Sequence, residues 1–226
     1  MSFSGFGPDA LPFFKALGFH QTKEWFEDNR ATYESQVKAP LGDLVEDLAG
    51  AFSRIGVPLK GDRKASLFRI NRDVRFAKDK SPYKTHAGAV LTRTGAKDDQ
   101  GLFYIHVSPE GCFVAAGFHH PEPDDLARLR RAIVRAPGDF ETALNGLDAA
   151  GASLRDDESL KRLPRGFEAV TAPAVAAAVL RKSHVGSRPI PEARLASAAL
   201  VEDLVDFGRQ ALPLLRWGWA AIADAR

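Results

Sequence analysis

GLFYIHVSPEGCFVAAGF, running from Gly101 to Phe118, decides the fold class. Leu102 to Val107 and Cys112 to Phe118 are both strand-like. Ser108, Pro109, Glu110 and Gly111 supply the turn residues between them. This is the clearest hairpin in the chain, and hairpins join antiparallel strands.

Upstream of the hairpin the period is first helical. Pro8 and Asp9 followed by ALPFFKAL read as a short helix that Gly18 ends, and Thr22 can cap a second one. Trp25, Phe26, Asn29, Tyr33 and Val37 recur near every 3.6 residues and give one largely apolar face. Pro40 interrupts or restarts this pattern, since it lacks an N–H and crowds the preceding turn. Leu41, Leu44, Val45, Leu48 and Phe52 continue as a further helix, closed by Gly56 and Pro58. The period then changes. Phe68, Ile70, Val74 and Phe76 stand at even positions, with Arg69, Asn71, Asp73 and Arg75 at odd ones, which predicts a strand with one buried face. KDKSP reads as a turn and YKTHAGAVLT as a second strand.

Downstream, helices return after Pro121. Glu122, Asp124 and Asp125 sit in a first turn, and Arg128, Arg130, Arg131 and Arg135 lie towards the end, which suits the helix dipole. Leu126, Leu129 and Ile133 give the apolar stripe. PGDFETALNGL is a short helix and GASLRDDESLKRLPRGF a polar, irregular stretch, with Asp156-Asp157-Glu158 as a solvated loop. PAVAAAVLRKS is helical, and Ala193 to Ala225 is a long helical region broken at Pro213. Helices, then a strand cluster, then helices predict an α+β fold. Its mostly antiparallel sheet is flanked by N-terminal and C-terminal helices, unlike a parallel βαβ arrangement. No linker interrupts the chain, so residues 1–226 read as a single domain.

With 226 residues, 45% of them hydrophobic and 27% charged, the chain can bury a core and does not read as disordered. No apolar run is long enough for a membrane-spanning helix, and the first residues lack a secretory pattern. Cys112 is the only cysteine, which excludes an internal disulfide and a cysteine-rich zinc site and fits the cytoplasm. The net charge of +2 is not that of a dedicated nucleic-acid binder. From Lys60 to Lys84, however, nine positive side chains face three negative ones, a local excess of six.

Arg72 is the anomaly within that segment. On a strand from Phe68 to Phe76 it would lie on the apolar face between Ile70 and Val74, where an unpaired charge is costly. Three readings are open: a carboxylate inside the fold pairs with it; it holds an anionic ligand in a concave site; or the strand ends near Asn71 and Arg72 points elsewhere. Arg69 and Arg75 share the opposite face, with Asp73 able to bridge to either. Lys84 and His86 have equal parity on the next strand and could approach Arg72 or Arg75. His86, with an ordinary pKa of about 6.5, could donate or accept a proton, or hold a structural hydrogen bond. Tyr83 is a core residue or a stacking surface.

FRINRDVRFAKDKSPYKTHAG, Phe68 to Gly88, resembles the signature of the DUF2461 family, a widespread set of proteins of unknown function. EWFEDNRATYESQVKAPLGDLVEDL resembles that family's early Trp-Phe, Tyr-Glu and Pro positions. GLFYIHVSPEGCFVAAGFHHPEPDDLARLRRAI resembles its hairpin, and LKRLPRGFE its later Lys-x-x-Pro-x-Gly-aromatic motif. The departure is Ala115-Ala116-Gly117, where the family tends to have a glycine run. The resemblance implies one family-wide domain and brings no activity, cofactor or catalytic residue with it.

Elsewhere the residues are less specific. His119 and His120 would point to opposite faces of a strand, so they make a poor metal pair even with His106 nearby. No phosphate loop, dinucleotide fingerprint or nucleophile elbow is present. Trp217 and Trp219 read as core or interface. Three functions stay open. The first is a pocket for a phosphorylated or otherwise anionic ligand, lined by Arg69, Arg72, Arg75, Tyr83 and Lys84. His86 would be its proton shuttle in any phosphoryl or phosphodiester chemistry, and no metal or cofactor is expected. The second is a nucleic-acid-binding module using Tyr83 or Tyr104. The third is a scaffold whose basic motif is an internal ion-pair network.

Overall fold

A computed structural model describes residues 2–155 and 158–224. The expectations at Asp156, Asp157 and Ala225 lie outside these residues. The architecture is α+β, with helices before and after an antiparallel five-stranded sheet. Its strands are β1 (Ala87–Thr92), β2 (Leu102–Val107), β3 (Phe113–Phe118), β4 (Ser153–Leu154) and β5 (His184–Pro189), in the order β1-β2-β3-β5-β4. The chain divides into two compact units. One runs through Lys97 and adds Tyr104–Val114 and Pro189–Val205. The other takes Asp98–Phe103, Ala115–Arg188 and the residues from Asp206 on.

In the first unit, α1 (Ala10–Phe19) buries Ala10, Phe13, Phe14 and Leu17, one face at helical spacing. The Thr22 hydroxyl accepts from the Trp25 N–H at 3.2 Å and caps α2 (Lys23–Asp28), as its position predicts. The short α3 (Arg30–Thr32) leads into a π-helical turn, Tyr33–Lys38, and then α4 (Ala39–Arg54). Pro40 explains the widening. It has no N–H to give the Gln36 carbonyl four residues back, and that carbonyl accepts instead from the Gly7 N–H at 3.2 Å. The helix is therefore modulated at Pro40 without being cut. Leu41, Leu44, Val45, Leu48 and Phe52 are buried, and α4 packs against β1. On β2, Ile105 and Val107 are fully buried, while Tyr104 and His106 on the other face are half-buried. The short α8 (Glu192–Leu195) completes this unit, its Leu195 carbonyl accepting from the Phe6 N–H.

The second unit holds α5 (Pro123–Arg135), α6 (Pro137–Ala149), α7 (Pro173–Leu180) and most of α9 (Leu200–Ala223). The strand β5 was not legible in the sequence, where Gly186 and Pro189 mask its pattern; it pairs antiparallel with β4 through Leu154 and Gly186. Gly117 lies against it. A Cβ there would come within 2.1 Å of the His184 carbonyl oxygen, and φ is +139°. The glycine thus serves strand packing. Arg130 is buried and donates to the Val179 and Arg181 carbonyls at 2.8 and 3.0 Å, closing the C-terminal end of α7. The expected break at Pro213 is corrected: α9 runs through it, and the break falls earlier, between α8 and α9. Pro213 and Arg209 are both on the exposed side, so the Arg209 carbonyl that loses its partner can turn to water.

Candidate basic site

The predicted strand from Phe68 to Phe76 does not form. Its backbone pairs only through bridges, Leu67 with Ala89 and Asn71 with Tyr83. Two residues separate the registers of those bridges, and the chain bends at Thr85 and His86 to absorb them. Beyond Asn71 the segment leaves the sheet. Ile70 is buried, but Phe68 is 37% exposed and Phe76 96% exposed, so the even positions do not share a buried face. Physical pairing stops where Asp73 and Asp79 find closer partners in their own loop.

Arg72 pairs with Asp79, an exposed carboxylate, so its place matches a strand that ends near Asn71. Asp79 also accepts from the Ser81 hydroxyl at 2.6 Å and the Ser81 N–H at 2.9 Å. These bonds, with Arg72, hold its carboxyl well below the usual range. Arg75 is bound by Asp73 at 2.7 and 3.0 Å, and Lys80 donates to the Val74 carbonyl at 2.9 Å. Arg72 and Arg75 are therefore both neutralised by carboxylates of their own loop.

Arg69 and Tyr83 lie elsewhere, on a groove of about 590 Å³ beside α2 and the π-helical turn. Tyr83 is buried and stacks on Phe26 with ring centroids 4.5 Å apart; its N–H donates to Gln21 Oε1 at 3.0 Å. The groove's cations are Lys23, Arg30, Lys38, Arg63, Lys64 and Arg69, against Glu27 and Glu34. Arg30 is held by Glu27, Lys38 by Glu34, and Arg63 by Asp43 and Glu46. Lys23, Lys64 and Arg69 have no ion pair among the described residues.

Around Phe68 the charges converge. Lys84 Nζ stands 5.5 Å from the ring centroid and Lys97 Nζ 5.1 Å. Lys97 also donates to the Leu67 carbonyl at 2.5 Å. Burial depresses the Lys84 pKa, and repulsion from Arg69 and Lys97 adds to the effect. Burial likewise lowers Lys97, against the pull of Asp62.

The open face of β2 and β3 continues the cluster with rings. The Phe68 and Tyr104 centroids are 6.0 Å apart. His86 lies 4.6 Å from His106, which stacks on Phe113 at 4.6 Å. Tyr104 Oη and His106 Nδ1 are 3.1 Å apart, and burial pushes the Tyr104 hydroxyl up to about 12. Burial and then Lys84 lower the His86 pKa, with Glu110 opposing, which favours the neutral imidazole. Tyr104 also occupies the space over β1: a Cβ on Gly88 would meet its hydroxyl at 2.5 Å.

The structure thus brings Arg69, Lys84 and His86 near Phe68 and the sheet face. It places Tyr83 in the core beside the groove and Arg72 and Arg75 in the paired loop. Sequence reasoning missed Lys97 and Phe113 and took His106 only as a metal candidate. The alternation of Tyr104 and His106 against Phe103 and Ile105 was the available signal for the ring face; nothing local signalled Lys97. Among the described residues no group of three His, Cys, Asp or Glu side chains could hold a metal ion. His120 is paired with Glu158 at 2.9 Å and meets His119 edge to face. No described helix is long and apolar enough to cross a membrane.

The sequence model of DUF2461, described as a conserved hypothetical protein, matches residues 9–217. No curated protein and no solved structure matches.

Proposed function

The chain belongs to the DUF2461 family, and on that premise, which brings no activity, we propose that it binds a phosphorylated small molecule through Arg69, Lys84 and Lys97. One observation carries this reading: Lys84 and Lys97 meet over the Phe68 ring with Arg69 near enough to repel Lys84, and none of the three is hydrogen-bonded to a carboxylate among the described residues. Mutual repulsion and partial desolvation raise the free energy of the empty site, and a phosphate would relieve both. The rings of Phe68 and Tyr104 favour a ligand that also carries a planar group. Arg72, Arg75 and Tyr83 support the site by ordering the loop and the groove wall. In a phosphoryl or phosphodiester reaction here, neutral His86 would accept the proton. A cytoplasmic location fits the single, buried, free cysteine.

The row His86, His106, Phe113 and Tyr104 favours a second reading, single-stranded nucleic acid stacked along the sheet. Thermal shift and calorimetry with pyrophosphate, ribose 5-phosphate, ADP and a short oligothymidylate test both. The small-molecule reading expects saturable binding of a phosphorylated compound, about tenfold weaker in Lys84→Ala/Lys97→Ala. Preference for the oligonucleotide, falling steeply with salt, replaces it with the second. No response to any of the four at low salt overturns both.

A further inference from the structure

The second unit has an open groove of about 870 Å³, in the size range of small-molecule sites. Its walls are apolar: Ala127 and Val134 from α5, Val175 from α7, and Phe167 and Val170 from the segment between α6 and α7. From α7, PAVAAAVL, the groove takes Val175, beside Ala172 at the N-cap of the helix. Of that helix only Ala178 and Val179 are buried. Val134 is 40% exposed, a large aliphatic side chain facing the groove.

The polar part of the lining is one-sided. Arg131, Arg135 and Arg165 border the groove, and among the described residues no Asp or Glu does. Arg135 is held by Asp224 at 2.8 Å. Arg131 and Arg165 make no hydrogen bond or ion pair among the described residues. A trough of short aliphatic side chains with two uncommitted guanidinium groups at its rim is complementary to one chemistry: an alkyl chain ending in an anion.

We infer that this groove binds a long-chain amphiphile with an anionic head, the chain lying between α5 and α7 and the head on Arg131 and Arg165. Guanidinium groups take carboxylate and phosphate equally well in geometry, so both head groups are within the assignment. The groove shares no residue with the Lys84 and Lys97 cluster, and the inference stands or falls without it.

Titration calorimetry with dodecanoate below its micelle concentration tests the assignment, beside octanoate, dodecanol and dodecyl phosphate. The expected result is one saturable site, with affinity rising about fourfold for each methylene desolvated. Arg131→Ala/Arg165→Ala should weaken dodecanoate about tenfold and leave dodecanol unchanged. Val175→Trp should fill the trough and abolish both, with its circular dichroism and melting point confirming a folded chain. Lys84→Ala/Lys97→Ala should leave the dodecanoate affinity unchanged. The tighter of dodecanoate and dodecyl phosphate identifies the head group. Absence of saturable binding overturns the inference, as does undiminished binding to folded Val175→Trp.

Discussion

Arg72→Ala removes one partner from an exposed ion pair and leaves Asp79 with its two bonds from Ser81. Exposed pairs contribute little, so the urea midpoint should move only slightly at unchanged slope. A large loss would mean that this pair organises more than its own loop. Phe76→Ser should also be silent in stability, within about 0.5 kcal/mol, because the ring is almost wholly in water. His184 is the opposite case. It is fully buried between Phe140 and Trp217; Nε2 donates to the Ala178 carbonyl at 3.1 Å, and Nδ1 has no partner among the described residues. Burial lowers its pKa from 6.5 to about 4. Between those values the unfolded chain binds the proton and the folded chain does not, so stability should fall as the pH drops through that window. Urea midpoints from pH 7 to pH 4 would show the fall, and His184→Gln should flatten it. A profile with the same slope in the variant would move the cause elsewhere. His86, also lowered, contributes with the same sign below its ordinary value.

At the scale of elements, the long helices follow their sequence period because each needs only one apolar stripe. The strands depend on neighbours. β2 and β3 were legible because a local turn joins them; β5 was not, since its partners are far along the chain. The failed strand at Phe68 to Phe76 had the right alternation and no continuous partner beyond Asn71. Two substitutions probe these points. Pro213→Ala restores a helical N–H on the exposed side of α9 and should stabilise by about 1–3 kcal/mol in thermal unfolding. A drop in melting temperature would show that α9 depends on the proline's shape. Gly117→Ala forces a Cβ onto the His184 carbonyl at a positive φ, so it should destabilise by more than about 2 kcal/mol. A neutral result would mean that β3 and β5 can part without cost.

For the molecule as a whole, the net charge of +2 hides a local excess of six between Lys60 and Lys84. Asp79 and Asp73, already counted in that balance, take Arg72 and Arg75, and from outside the segment Asp43 and Glu46 take Arg63. Of the segment's cations left without a carboxylate among the described residues, Lys84 meets Lys97, from outside the counted segment, over the Phe68 ring, and Arg69 is near enough to repel Lys84. Pyrophosphate binding to wild type should therefore weaken modestly between 50 mM and 200 mM salt, as about three contacts require, and not as nine would.

The sequence by itself determined the helix periods, the hairpin, the α+β class and the place along the chain where positive charge accumulates. These are properties of spacing within a dozen residues, and local chemistry carries them. Only the tertiary structure decided which cations are neutralised, that Phe76 points into water, and that Lys97 reaches the carbonyl of Leu67 thirty positions away. Electrostatic partnership depends on distance through space, and a sequence records distance along the chain.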